Sequence, residues 1–224
     1  MLLPGLIDAH VHLYGRADLE QLTAFGVTTA LDMGTPWSVV NELRGLHALT
    51  DIRSGGKPAV APGSAHARML HAPPESQVAG PDQASDFVSN WIAEGADYIK
   101  IITDQDGFDQ PTLNAIVAAA HERGKLTIAH AATFADIAMA QEAQIDVVTH
   151  TPLDKALDKA AVARMVTENR ISVPTLTMGK GIIEQAHPPG STYAPARATV
   201  AAFMRRACRS SPGPTPTTPT GLQR

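Results

Sequence analysis

The sequence predicts an α/β fold of the (β/α)8-barrel kind, incomplete at about seven strands, with strand eight missing and a disordered C-terminal tail. Three observations predict it. Short apolar, β-branched segments alternate with amphipathic helical ones from residue 6 onward, which argues for a parallel sheet wrapped by helices. The polar residues of chemical interest fall late in those segments, at the end where such barrels build their sites. The chain has 224 residues, against the ~250 that a complete barrel typically takes. The expected division is a partial barrel over 1–206 and a tail over 207–224.

The apolar run before Asp8, His10 and His12 is the first strand. Residues 17–25 read as a helix closed by Gly26 at a C′ position. Residues 27–33 (VTTALDM) form the second strand, and 37–49 have apolar residues at helical spacing up to the Ser54-Gly55-Gly56 turn. A third strand is expected over 58–62. Residues 63–81, with Pro73-Pro74, His66 and His71, read as a long substrate-facing loop. Helices are then expected over 81–94, 110–123, 134–142 and 157–168, and strands over 97–103, 125–131, 145–150 and 171–176. Pro111 opens the second of these helices near N1 and Gly124 closes it.

Composition excludes several classes. A net charge of -4 gives no electrostatic footprint for nucleic acid. The single cysteine, Cys208, forbids an internal disulfide and fits a reducing compartment. No segment approaches the ~20 apolar residues of a membrane span, and the N-terminus lacks a basic region, so no signal peptide is expected. A cytoplasmic protein with no membrane or nucleic-acid partner follows, and a homo-oligomer is allowed.

The chemistry is concentrated at strand ends. Residues two apart in a strand share a face, so His10 and His12 aim together. Such a pair suits Zn²⁺, which takes imidazole nitrogen at ~2.0–2.1 Å; taken alone, a polar strand end serves equally well. Lys100 sits inside the apolar run DYIKIIT, where an ammonium is tolerated only if it is paired, modified or reaches solvent. His130 closes KLTIAHA and His150 closes IDVVTH. Each alone reads as a hydrogen-bonded structural histidine, but together with H-x-H and Lys100 they read as one constellation.

The string Pro4-Gly5-Leu6-Ile7-Asp8-Ala9-His10-Val11-His12 resembles the opening strand of the amidohydrolase superfamily. Ala24-Phe25-Gly26-Val27-Thr28-Thr29 and Asp97-Tyr98-Ile99-Lys100-Ile101 are similar to its prolidase-like and imidazolonepropionase-like branch, and the resemblance runs over roughly 2–206. It implies a barrel of the metal-dependent hydrolase type that cleaves amide, peptide or cyclic amide bonds with metal-activated water. Small amide or dipeptide-like molecules are the implied substrates. It further implies two Zn²⁺ ions bridged by a carboxylated Lys100, one held by His10, His12 and Lys100, the other by Lys100, His130 and His150. Two rivals stand beside it: a mononuclear deaminase-like member in which Lys100 is only structural, and an inactive metal-binding remnant. His66 and His71 match no part of the pattern, and Arg68 is a candidate to meet a substrate carboxylate.

The departure lies at the C-terminus. In the family the proton-handling carboxylate is an aspartate ending strand eight, and this sequence has no aspartate after Asp158. Asp8, Asp32 and Asp104 do not occupy that position, so no catalytic aspartate is assigned. Residues 207–224 are rich in Pro, Ser, Thr and Gly and read as a flexible tail. With suitable third bases, the DNA for 207–217 read in another frame spells VPILAGTDAN, similar to the family's strand eight. A frameshift near Arg206 is the expectation drawn from it, with both ends of the chain truncated relative to the family.

Overall fold

The structure, a computed structural model, describes residues 3–104 and 106–210, the last four by their backbone alone. Among them are seven strands: β1 (Leu6–Val11), β2 (Val27–Asp32), β3 (Asp51–Ser54), β4 (Ile99–Ile102), β5 (Thr127–His130), β6 (Val147–Thr149) and β7 (Ile171–Val173). Nine α-helices accompany them: α1 (Arg16–Ala24), α2 (Trp37–Arg44), α3 (Ala65–Met69), α4 (Ala84–Ala93), α5 (Gln110–Glu122), α6 (Phe134–Glu142), α7 (Lys159–Thr167), α8 (Leu176–Ala186) and α9 (Ala194–Ser210). None is long and apolar enough to cross a membrane.

All strand pairs are parallel, but the strands lie in two sheets, β1-β2-β3 and β4-β5-β6-β7. No closed barrel forms among the described residues. Residues 58–62, expected as strand three, form no strand of either sheet. They make only isolated bridges, Ala59 to Ile101 and Val60 to Gln77. Ala59 N donates to the Lys100 carbonyl at 2.8 Å and its own carbonyl accepts from Ile102 N at 3.0 Å. Pro58 and Pro62 on either side have no N–H to extend the ladder. The true third strand, Asp51–Ser54, alternates exposed and buried residues. It has one apolar side chain in four, too few for a hydropathy reading to find.

Each sheet carries its own core. Leu13, Leu19, Ala30, Leu43 and Ile52 pack under α1 and α2. The larger core joins β4, β5 and β6 to α4–α7 through residues such as Ile99, Ile101, Leu113, Ile116, Ala129 and Ile137. A third cluster, Met33, Tyr98, Ile128 and Val147 with Leu31 and Val173 against them, draws side chains from both sheets. That shared interior makes the two sheets face one space. Caps fix the helix starts: Asp109 Oδ1 accepts from Thr112 N at 2.9 Å, and Thr133 with Asp136 forms a reciprocal capping box on α6.

Other boundaries moved. The helix expected over 37–49 ends at Arg44. The long loop holds α3 and a single 3-10 turn at Pro74–Ser76. α8 and α9 were not anticipated, and α9 runs to Ser210, into the expected tail. Residues 211–224, with most of the proposed shifted frame, lie outside the described residues.

Candidate metal centre

His10 is the fifth residue of β1 and His12 follows its end; Lys100 is the second residue of β4, His130 the last of β5, and His150 comes just after β6. Because the strands are parallel, these positions fall at one end of the sheets. The structure brings all five to one cavity of about 220 Å³, whose wall also includes Met33, Lys57, His66 and Met178.

The imidazoles form an unbroken series. His12 and His10 have ring centres 5.3 Å apart, His10 and His150 4.8 Å, His150 and His130 4.4 Å, and His130 and His66 4.5 Å. His150 adopts φ 78°, an uncommon conformation for a non-glycine residue. Its amide still donates to the Val173 carbonyl at 2.8 Å, and its Nδ1 lies 2.7 Å from Thr175 Oγ1. Two polar contacts therefore hold a costly backbone state that turns the ring toward the other histidines.

Burial governs the electrostatics. It pushes His10 down to about 3, with Lys100 and His12 adding to the effect. It pushes His130 down to about 2, helped by Lys100 and His66, and it lowers His150 as well, with His130 and Lys100 contributing. His12 is open to solvent at the mouth. The partial burial of its ring lowers it, Asp32 opposes that shift, and Lys100 and Lys57 reinforce it. Lys100 is buried, and desolvation brings it down to about 7 against the opposing pull of Asp32. The centre is thus a set of neutral imidazoles around an amine poised near neutrality.

The donor set fits a divalent ion of the Zn²⁺ kind in chemistry: four neutral imidazoles, and a His10 Nδ1 that is buried with no hydrogen-bond partner. In this conformation, however, no three His, Cys, Asp or Glu side chains among the described residues make a finished ligand set. The rings are gathered around one cavity without forming such a set.

The aspartates divide. Asp8 Oδ1 accepts from His10 N at 3.1 Å. Asp32 is fully buried and accepts from Thr35 N, Thr35 Oγ1 and Ser54 Oγ at 3.1, 2.5 and 2.6 Å, a tie between β2, β3 and the loop after β2. Asp104 Oδ2 is 2.8 Å from His66 Nδ1, so a residue with no place in the sequence pattern becomes an oriented part of the cavity wall. Exposed His71 is not among the cavity residues, and exposed Arg68 donates to the Gly63 carbonyl instead. The sequence pattern gives no role to Lys57 and places His66 only in the substrate-facing loop. The one local signal was the Gly55-Gly56-Lys57-Pro58 turn beside the long loop. A larger cleft of about 1140 Å³ lies between α7 and α9 and has no histidine in its wall.

The fold has close counterparts. A Xaa-Pro dipeptidase with bound methionine in the active site superposes with a TM-score of 0.68 at 22% identity, covering 93% of this chain and 64% of that one. An amidohydrolase superposes at 0.72 with 22% identity, covering 90% and 62%. Ochratoxinase of A. niger does so at 0.66 with 18% identity, covering 90% and 59%. No protein-family model and no curated protein matches the chain. The fold is therefore that of amidohydrolase and prolidase structures, as the sequence resemblance implied, and the chain spans just over 60% of the length of the first two.

Proposed function

We propose that the chain belongs to a metal-dependent amidohydrolase that cleaves carbon–nitrogen bonds of small amide or dipeptide-like substrates. The observation that carries this reading is the gathering of His10, His12, His130 and His150 around buried Lys100 in one cavity, on a fold shared with a dipeptidase and an amidohydrolase. His10 and His12 would hold one divalent ion and His130 and His150 a second, with Lys100 between them. When bound, such ions polarise a carbonyl oxygen and bring the pKa of water toward neutrality.

The chain's own residues prepare that chemistry. Desolvation keeps the four rings unprotonated, so their nitrogens are available as ligands. The same burial keeps a large share of Lys100 neutral near pH 7. A neutral amine adds CO₂ by forming an N–C bond and releasing one proton, which turns Lys100 into an anionic oxygen donor. Thr149 Oγ1, 3.1 Å from Nζ, fixes where that amine sits. Asp104 holds His66 at Nδ1 and so orients its ring at the cavity wall. Met33, Met69, Leu70 and Met178 add apolar side chains to the lining.

Metal analysis of the zinc-loaded chain, with and without bicarbonate, tests this together with hydrolysis of dipeptides and N-acyl amino acids. The expected result is two ions per chain with bicarbonate, fewer in Lys100→Ala, and zinc-dependent amide cleavage. Zinc uptake unchanged when His10 and His130 are both replaced by alanine would sink the reading. A single ion indifferent to bicarbonate would favour a mononuclear centre.

A further inference from the structure

The helix after β7 is attached in an uncommon way. α8 (Leu176–Ala186) is bounded by two left-handed residues, Thr175 at φ 41°, ψ 46° and His187 at φ 45°, ψ 52°. That conformation costs free energy for any residue but glycine, and most for a β-branched one such as threonine. Threonine is a favoured helix N-cap, yet the Thr175 side chain makes no capping bond to α8. Its Oγ1 lies instead 2.7 Å from Nδ1 of His150, one of the rings of the histidine cavity. The helix itself has little else to hold it. Gly179 and Gly181 lower its helix propensity, and Gly179 is its one buried residue. The ion pair of Lys180 with Glu184, at 3.5 Å, is exposed and internal to the helix. Met178 and Ile182, four residues apart and so on one face, are 40% and 38% exposed. Met178 also belongs to the cavity wall.

We propose that α8 is a flap on the histidine cavity, hinged at Thr175 and His187 and latched by the hydrogen bond between Thr175 and His150, and that an ion in the cavity tightens the latch. The latch rests on the geometry alone, and the tightening rests on the metal-centre reading. Both hinge residues stand at the ends of the element, where a change in φ and ψ swings a helix without breaking its internal bonds. Each already occupies a costly conformation, so opening relieves strain and the Thr175–His150 contact opposes that release. An imidazole that gives one nitrogen to a divalent ion keeps its proton on the other and donates it to a neighbour. His150, engaged at Nδ1, thereby passes the occupation of the cavity to the hinge and to Met178 three residues further on.

Hydrogen–deuterium exchange of the α8 amides tests it, in the full chain with and without zinc, for wild type, Thr175→Val and Thr175→Ser. Valine keeps the shape of threonine and removes its hydroxyl, and α5 serves as the internal reference. Without metal, α8 in Thr175→Val should exchange about two- to tenfold faster than in wild type, the effect of one lost hydrogen bond. Thr175→Ser should stay near wild type, and α5 should not change. Zinc should slow α8 about threefold or more in wild type and Thr175→Ser, and leave it unchanged in Thr175→Val. Equal α8 exchange in metal-free wild type and Thr175→Val overturns the proposal, as does an acceleration shared by α5. So does zinc that binds without slowing α8, or that slows it equally in Thr175→Val. A chain that takes up no zinc yet loses α8 protection in Thr175→Val keeps the latch and removes the metal-centre reading alone.

Discussion

Lys100 Nζ donates to Thr149 Oγ1 at 3.1 Å, the one hydrogen bond of a buried ammonium among the described residues. Thr149 Oγ1 in turn donates to the Ala129 carbonyl at 2.9 Å, so this hydroxyl links β4, β5 and β6 beneath the histidines. One neutral partner is poor compensation for a desolvated charge, and the lowered proton affinity of Lys100 is the consequence.

Replacing Lys100 by Met should therefore stabilise the metal-free chain at pH 6 by about 1–3 kcal/mol while removing its capacity for a second ion. Thr149 keeps its bond to Ala129, so no buried donor is orphaned. Lys100 titrates near 7 when folded, against 10.5 ordinarily. Between those values the unfolded chain binds more protons, and stability climbs with pH. Urea unfolding at pH 6 to 10 should show that climb in the wild type and a flatter profile in Lys100→Met.

Acid should unfold the metal-free chain early. His10 and His130 fall from 6.5 to about 3 and about 2, and His12 and His150 are lowered too. Below pH 6.5 the unfolded histidines take up protons that the folded ones refuse, so stability is lost as pH falls from 6.5 toward 3. Urea midpoints at pH 4, 5, 6 and 7 should decline steadily. A double change, His130→Phe with His150→Phe, should shallow the decline.

Zinc should bind the folded chain in preference to the unfolded one. At a free concentration 100-fold above Kd the gain is about 2.7 kcal/mol per site, or about 5–10 °C in Tm for a chain of this length. Chelation should reverse it. His10→Ala, which removes the partnerless Nδ1, should weaken the shift, while His71→Ala should leave it intact. Differential scanning fluorimetry reads all three.

Asp32 is the structural aspartate of the site's first half. Asp32→Ala strands the Thr35 amide and the hydroxyls of Thr35 and Ser54 and should cost about 2–4 kcal/mol in urea unfolding. Asp32 also raises Lys100. Asp32→Asn should therefore push the Lys100 amine further toward its neutral form, visible as bicarbonate-dependent metal uptake extending to lower pH.

Sequence periodicity is local, and what it determined is local: the order of parallel strands and helices, and the placement of His10, His12, His130 and His150 late in or just after their strands, with Lys100 inside its own. Alternation of apolar residues and helix caps act over a few positions, so they are legible without a fold. The short strand Asp51–Ser54 escaped because its signal rests on Ile52 alone, while the more apolar residues 58–62 attracted the assignment although two prolines bar them from a ladder. Only the tertiary structure decided that the strands form two sheets around a shared interior. It alone set His150 in a left-handed turn held by Thr175, paired His66 with Asp104, and brought Lys57 rather than Arg68 to the cavity. Those outcomes depend on contacts between residues tens of positions apart, whose free energies arise from burial and hydrogen bonding across the fold and leave no periodic trace in the chain.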